Sequence, residues 1–179
     1  MPMERTLTCC FSGHRPEKLP WGLDEADPRC AALRASIGRE LASLYRRGYR
    51  HFISGMAMGC DLYFAEAALE LRDSLPGLTV EGAVPCPTQA DRWPEALRRR
   101  WRELLDRCDL ETMVQQHYDR YCMHRRDRYL VDRAGAVLAV FNGTSGGTQY
   151  TLNYAMDRGL EILLLDPLRP EAPAVRLAL

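Results

Sequence analysis

The sequence predicts an α/β protein with a Rossmann-like three-layer sandwich, in which helices cover both faces of a mainly parallel sheet. Short apolar runs alternate with longer segments whose apolar residues recur every three or four positions, which are the patterns of buried strands and amphipathic helices. Three of the apolar runs also lead into glycine-containing motifs, SGHRP, SGMAMGCD and NGTSGGT. Parallel strands need crossover connections that helices normally supply, so the alternation favours a parallel sheet.

The first half of the chain contains three predicted strands and two predicted helices. Gly13 and Pro16 end the first strand. Pro28 suits the first turn of a helix, and the apolar face of that helix stops at Gly48. In order, the predicted elements are a strand at 5–11, a Pro-rich loop, a helix at 28–47, a strand at 49–54, a helix that starts near 60 and a strand within 76–84.

The second half continues the alternation. Its first helix carries four arginines on the exposed side, and interleaved acidic residues indicate a solvated face rather than a nucleic-acid stripe. The tail at 167–179 is expected to be peripheral or frayed. The other predicted elements are helices at 97–108, 121–133 and 148–159 and strands at 109–115, 136–142 and 160–166.

Length and composition indicate a single domain over residues 1–179, with its core at about residues 5–166. A chain of 179 residues with 46% hydrophobic content can bury one substantial core. The sequence shows neither a secretory signal nor an apolar run of membrane length, so we expect a cytoplasmic protein with no membrane partner. The seven cysteines are scattered and form no C-x-x-C pair, so neither a disulfide framework nor a metal site is predicted.

Charge restricts the partners. The formal net charge is zero, which argues against a protein that wraps a nucleic-acid backbone with a basic face. Lys18 is the only lysine among the 24 basic residues, so arginine is expected to make any cationic contact with a ligand.

The three glycine-containing motifs are expected to meet at one edge of the sheet, because ligands of parallel sheets bind beyond the carboxyl ends of the strands. Glycine lets backbone approach a ligand closely, and a following helix offers free amides and a positive dipole end. Any one such turn also fits an ordinary helix entry. Several at one edge favour an anion or nucleotide site.

Together, SGHRP, ISGMAMGCDLYFAEAAL and AGAVLAVFNGTSGGTQYTLNYA resemble the SLOG superfamily, in its YpsA-like branch, over residues 6–166. The resemblance implies a Rossmann-like domain that binds a nucleotide or nucleotide-derived ligand and holds its phosphate in the glycine loops. The candidate nucleotide-binding residues are Ser12, Gly13, His14, Arg15, Ser54, Gly55, Gly59, Asp61, Arg126, Asn142, Gly143, Ser145, Gly146, Gly147 and Thr148.

The sequence departs from the LOG phosphoribohydrolases of that superfamily, which resemble MHxRK followed by PGGxGTxxE. Asp127 stands at the Lys position, and Tyr150 and Thr151 stand where the acidic pair would lie. Without that carboxylate the site lacks a group to stabilise an oxocarbenium-like centre or to activate water. LOG-type hydrolysis is therefore disfavoured, and no catalytic residue is assigned. The residues that match are Met123, His124, Arg126, Gly147 and Thr148.

Several candidates also have a purely structural interpretation. Arg15 fits a phosphate contact or a surface ion pair. Asp61 can accept a hydrogen bond from a ribose hydroxyl or stabilise the start of a helix. Arg126 fits a ligand contact or a solvated basic helix. Trp93, together with Gln89, fits a base-binding wall, but it also fits a hydrophobic staple before a helix.

The leading hypothesis is a sensor or adaptor that recognises a small phosphorylated nucleoside, for example of ADP-ribose type, with no other cofactor. One alternative is an N-glycosidic hydrolase or transferase that uses Asp61 or Glu66, the next carboxylate along the helix. A DprA-like binder of single-stranded DNA is disfavoured by the neutral charge. A Ser–His hydrolase is also disfavoured, since only His14 lies near Ser12. The apolar helix faces permit a homodimer.

Overall fold

The computed structural model describes residues 4–177, and over that range seven strands form one sheet flanked by five helices. The strands are β1 (Thr8–Gly13), β2 (His51–Ser54), β3 (Thr79–Val84), β4 (Leu110–Met113), β5 (Ala136–Val140), β6 (Glu161–Leu165) and β7 (Val175–Leu177). The helices are α1 (Pro28–Arg46), α2 (Cys60–Arg72), α3 (Glu95–Arg107), α4 (Cys122–Asp132) and α5 (Gly147–Asp157).

The strand order is β4-β3-β2-β1-β5-β6-β7, and every neighbouring pair is parallel except β6 and β7. Helices α1, α2 and α3 cover one face, where Phe11 of the sheet stacks on Phe64 of α2 with ring centroids 4.6 Å apart. Helices α4 and α5 cover the other face, where Leu130 and Leu152 pack with Ile53. The predicted Rossmann-like three-layer sandwich is confirmed. Within residues 4–177, no helix has both the length and the apolar composition needed to span a membrane.

The order of strands fixes where a ligand can enter. The chain adds β2, β3 and β4 on one side of β1 and then places β5 and β6 on the other side. Gly13 pairs with Val140 at the carboxyl ends of β1 and β5, so the loops that follow these two strands leave the sheet side by side. Ligands of open α/β sheets bind at such a reversal of strand order.

The two ends of the chain differ from the sequence-based expectation. Arg5–Leu7 form a 3-10 helix, and the first strand begins at Thr8. The tail is not frayed over Val175–Leu177, because this segment pairs antiparallel with β6 and so covers the backbone of an otherwise open edge. It stays peripheral, since all three residues of β7 are exposed.

A buried polar cluster holds α4 against the sheet. Glu81 of β3 accepts hydrogen bonds from His51 Nε2 at 2.7 Å, from the Thr112 hydroxyl at 2.8 Å and from the Tyr129 hydroxyl of α4. Burial works to raise the pKa of Glu81, but the bonds from His51, Tyr129 and Thr112 hold it below its usual value. The cluster fixes the helix that carries Arg126.

Replacing Glu81 by Ala is expected to lower the free energy of unfolding by roughly 3–5 kcal/mol, because the buried His51 and the half-buried Tyr129 and Thr112 lose their shared acceptor. Glu111→Ala on the neighbouring strand is the matched control. Its carboxylate pairs with Arg102 at the surface, so the loss should stay below about 1 kcal/mol. Urea denaturation measures both changes, and equal losses would contradict a stabilising role for the cluster.

Candidate ligand-binding site

A cavity of about 280 Å³ opens at the carboxyl ends of β1 and β5, at the reversal of strand order. Its walls come from the loop after β1, the start of α2, one side of α4 and the start of α5. Nine of the fifteen candidate residues line it, which brings the first and third glycine motifs together as expected. The nine are Ser12, Gly13, His14, Arg15, Asp61, Arg126, Gly146, Gly147 and Thr148.

The loop between β2 and α2 lies behind the cavity wall. Its candidates Ser54, Gly55 and Gly59 do not line the cavity, although Ala57 and Asp61 beside them do. A Cβ at Gly55 would lie 2.6 Å from Nη1 of Arg126. A Cβ at Gly59, where φ is 87°, would lie 2.9 Å from the backbone carbonyl oxygen of His14. These glycines make room for the protein's own groups rather than for a ligand.

Ser54 has a structural task in the same loop. Its hydroxyl accepts a hydrogen bond from the Met56 amide at 3.1 Å and donates to the Asp61 carbonyl at 2.9 Å. Met56 has φ of 58°, the only left-handed backbone angle of a non-glycine residue within 4–177. The loop is therefore tied down where it presents Asp61 to the cavity.

The loop after β5 forms the rim. Gly143 and Ser145 are exposed and do not line the cavity. Asn142 contacts His14 instead, whose Nε2 lies 2.9 Å from both the amide nitrogen and Oδ1 of Asn142. With a proton on Nε2, His14 donates to Asn142 Oδ1. In the other neutral tautomer, Nε2 accepts a hydrogen bond from the backbone amide of Asn142. Burial lowers the pKa of His14 although the Asn142 side chain opposes the change, so a neutral ring is favoured at neutral pH.

Arg126 is buried, which excludes the interpretation of a solvated basic helix for this residue; its neighbours Arg125 and Arg128 are exposed. Its Nε donates to Asp127 Oδ1 at 2.8 Å, and its Nη1 donates to the Gly55 carbonyl. Burial works to lower the pKa of Arg126, but the charges of Asp127 and Asp61 hold it above its usual value. The guanidinium is thus committed largely to the protein's own acceptors.

Asp61 is 4% exposed, and only one of its two carboxylate oxygens has a hydrogen-bond donor among the described residues. Oδ2 accepts a hydrogen bond from the Ala57 amide at 3.1 Å, whereas Oδ1 has no hydrogen-bond donor among the described residues. Burial raises the pKa of Asp61 from its usual 3.8 to about 6, even though Arg126 opposes the shift. An unpaired buried carboxylate oxygen is costly, so Oδ1 marks a place where a ligand donor is favoured.

Lys18 lines the cavity, although it is not among the candidate residues predicted from the sequence. Its ammonium group donates to the Ser145 carbonyl, and a Cβ at Gly146 would lie 2.6 Å from Nζ. Lys18 therefore lies at the cavity together with Arg15 and Arg126, and the expectation that arginine makes any cationic contact with a ligand stays a prediction. A signal was present, because Lys18 is the only lysine in the chain and lies two residues after the end of the SGHRP motif.

Tyr150, at one of the two positions where the hydrolases are expected to have acidic residues, packs against an aromatic ring of α4. His124 stacks on Tyr150 with ring centroids 4.0 Å apart, and Arg128 donates to the Tyr150 hydroxyl at 2.7 Å. Glu66 does not line the cavity; Arg34 and Arg100 bind its carboxylate, each at 2.6 Å, between α1, α2 and α3. Glu66 is therefore removed as a catalytic candidate at this site. Over the described residues, no group of three or more His, Cys, Asp or Glu side chains could hold a metal ion.

The raised pKa of Asp61 makes stability depend on pH. The folded state retains this proton up to about pH 6, whereas the unfolded chain releases it near pH 4, so the wild type should lose stability as pH rises from about 4 to about 6. Relative to Asp61→Asn, the loss is on the order of 3 kcal/mol, since each pKa unit corresponds to about 1.4 kcal/mol. Urea denaturation of both proteins at pH 4 to 7.5 measures the difference. A constant difference over this range would contradict the assignment.

Comparison with solved structures shows the same fold in DNA processing protein A. The Helicobacter pylori protein, described for its single-stranded DNA binding mode, matches with a TM-score of 0.58 and 16% identity, over 89% of this chain and 65% of its own. The Streptococcus pneumoniae protein matches with a TM-score of 0.57 and 16% identity, over 92% of this chain and 53% of its own. At this identity the likeness extends to the fold alone, and this chain spans about half to two thirds of those proteins.

Sequence comparison gives the family. The chain is similar to a UPF0398 protein of Oceanobacillus iheyensis, with 26% identity over 142 residues, 78% of this chain and 76% of that protein. It is also similar to the UPF0398 protein YpsA of Bacillus subtilis, with 22% identity over 152 residues and 83% of each chain. The family model described as the YspA SLOG family matches residues 9–162, nearly the whole chain. This match confirms the resemblance seen in the motifs, and the chain belongs to the YspA SLOG family.

Proposed function

We propose that this cavity binds a small phosphorylated nucleoside and that the protein is a sensor or adaptor for it. One observation carries the proposal. Asp61, whose buried Oδ1 has no hydrogen-bond donor within residues 4–177, lines the same cavity as Lys18, which lies against the start of α5. A ligand that has both donating hydroxyls and an anionic group complements these two features.

The start of α5 suits the phosphate. The N-cap residue of α5 is Gly146, which has no side chain to cap the first turn. The first amides of the helix therefore stay free to bind an anion. Lys18 adds a positive charge there, and Thr148 adds a hydroxyl to the cavity wall. The Lys18 ammonium can exchange the neutral Ser145 carbonyl for a phosphate oxygen, which makes a stronger, charge-assisted bond.

The sugar suits Asp61. A ribose hydroxyl that donates to Oδ1 would supply the partner that the described residues do not provide. Leaving such a group unpaired costs about 1–3 kcal/mol, and ligand binding would recover part of that cost. The charge of the neighbouring Arg126 opposes the rise in the pKa of Asp61, while its own hydrogen bonds go to Asp127 and to the Gly55 carbonyl.

The acidic groups of the cavity favour a binding role over hydrolysis. Asp127 is paired with Arg126 at 2.8 Å, and Glu17 is exposed. Among these three carboxylates, Asp61 is the one with a fully buried oxygen that has no donor within residues 4–177, so a single group would have both to stabilise an oxocarbenium-like centre and to activate water.

Calorimetric titration with AMP, ADP-ribose, ribose 5-phosphate and inorganic phosphate tests the proposal. Lys18→Met keeps the length of the side chain and removes its charge, so affinity for the bound phosphates should fall roughly 10- to 100-fold. Arg169→Met removes an exposed charge outside the cavity and serves as the control. Wild-type affinity in Lys18→Met, or no binding across the panel, would overturn the proposal. Salt-dependent binding of an oligonucleotide alone would favour a DNA-binding role instead.

A second experiment distinguishes binding from N-glycosidic hydrolysis by Asp61. If Asp61 acts only as an acceptor for the sugar, prolonged incubation of the protein with AMP should release no adenine, as followed by chromatography. Asp61→Asn should then weaken AMP binding while leaving inorganic phosphate binding nearly unchanged. Release of adenine that disappears in Asp61→Asn would establish an N-glycosidic hydrolase and contradict the sensor assignment.

A further inference from the structure

A second cavity, of about 430 Å³, adjoins the first near the carboxyl end of β3. Met123 of α4 lines both cavities and is the residue that they share. The second cavity differs in chemistry from the first, because its walls include the rings of Trp93 and Tyr118. Neither Lys18 nor Asp61 lines it.

The aromatic wall is held in position by the protein. The Trp93 ring is half-buried and meets Trp101 of α3 edge-on, with centroids 6.2 Å apart and planes 72° apart. Trp101 in turn donates through Nε1 to Gln89 Oε1 at 3.1 Å. Trp93 therefore serves as more than a staple at the start of α3, since one side of it lines an open cavity. Tyr118 is 68% exposed, which is unusual for so large a ring in a folded domain.

The two cavities are also joined through the backbone. Gln89, which lines the second cavity, donates through Nε2 to the Gly55 carbonyl at 3.0 Å. Arg126, which lines the first, donates to the same carbonyl. Both the oxygen and the nitrogen of the Gln89 side-chain amide are thus bonded within the protein, so the residue positions the wall rather than reading a base.

We infer that the second cavity takes the base of the ligand, so that the ligand class is a nucleoside phosphate with an aromatic base rather than a sugar phosphate alone. This inference rests on the proposed function. The phosphate lies at the start of α5, the ribose at Asp61 and the base beyond Met123, against Trp93 and Tyr118. Aromatic side chains bind every base through its π-face, and methionine adapts its shape to the ring beside it.

The test compares AMP with ribose 5-phosphate by calorimetry, because the two differ at C1 of the ribose, which carries adenine in AMP and a hydroxyl in ribose 5-phosphate. AMP should bind the wild type about 5- to 150-fold more tightly, the factor that stacking on aromatic side chains supplies. Tyr118→Ala should remove a large part of this advantage while changing ribose 5-phosphate affinity less than about twofold. Tyr118 is exposed, so the variant is expected to fold. Trp93→Phe, which keeps an aromatic ring, should retain most of the advantage.

The control is Tyr121→Ala, another exposed tyrosine, which lines neither cavity and should leave both affinities unchanged. Equal affinities of AMP and ribose 5-phosphate for the wild type would overturn the base site while leaving the phosphate and sugar sites in place. An AMP advantage that Tyr118→Ala and Trp93→Ala both leave intact would overturn it as well. No binding of either compound would remove the proposed function and this inference together.

Discussion

The buried guanidinium of Arg126 joins three parts of the chain at one point. It donates to the Gly55 carbonyl in the loop after β2, pairs with Asp127 on its own helix and lies close enough to Asp61 to act on its charge. The Glu81 cluster fixes the helix that delivers it. Because a buried cation needs compensating acceptors, these groups determine each other's positions. The rest of the cavity wall is built around that arrangement.

The two ends of the cavity carry opposite charges that the protein's own groups do not fully pair. Two carboxylates and one guanidinium meet at its buried end, and one fully buried carboxylate oxygen, Asp61 Oδ1, has no donor within residues 4–177. Lys18 stands at the opposite end, beside the first turn of α5. An anion at the lysine and a hydroxyl at the carboxylate would satisfy both ends at once, which is the pattern of a sugar phosphate. A base in the aromatic second cavity would extend this pattern to a nucleoside phosphate.

The sequence was sufficient for the fold because periodicity is a local signal, and the alternating runs gave the strands and helices their order. The site was less predictable, because it depends on approaches between distant segments. Lys18 reaches a loop 127 residues away, and no local pattern indicates that contact. Gly55 suggested space for a ligand, but the sequence could not show that Arg126 fills that space. Glu66 follows Asp61 closely in sequence, yet it faces α1 and α3.

The most direct test of a nucleotide site at the carboxyl ends of β1 and β5 is a crystal structure of the protein grown with AMP. The expected electron density places phosphate oxygens at the first amides of α5 and at Lys18 Nζ, with a ribose hydroxyl within hydrogen-bond distance of Asp61 Oδ1. Density for AMP elsewhere on the surface would contradict the account, as would a cavity closed by side chains in crystals that contain the nucleotide.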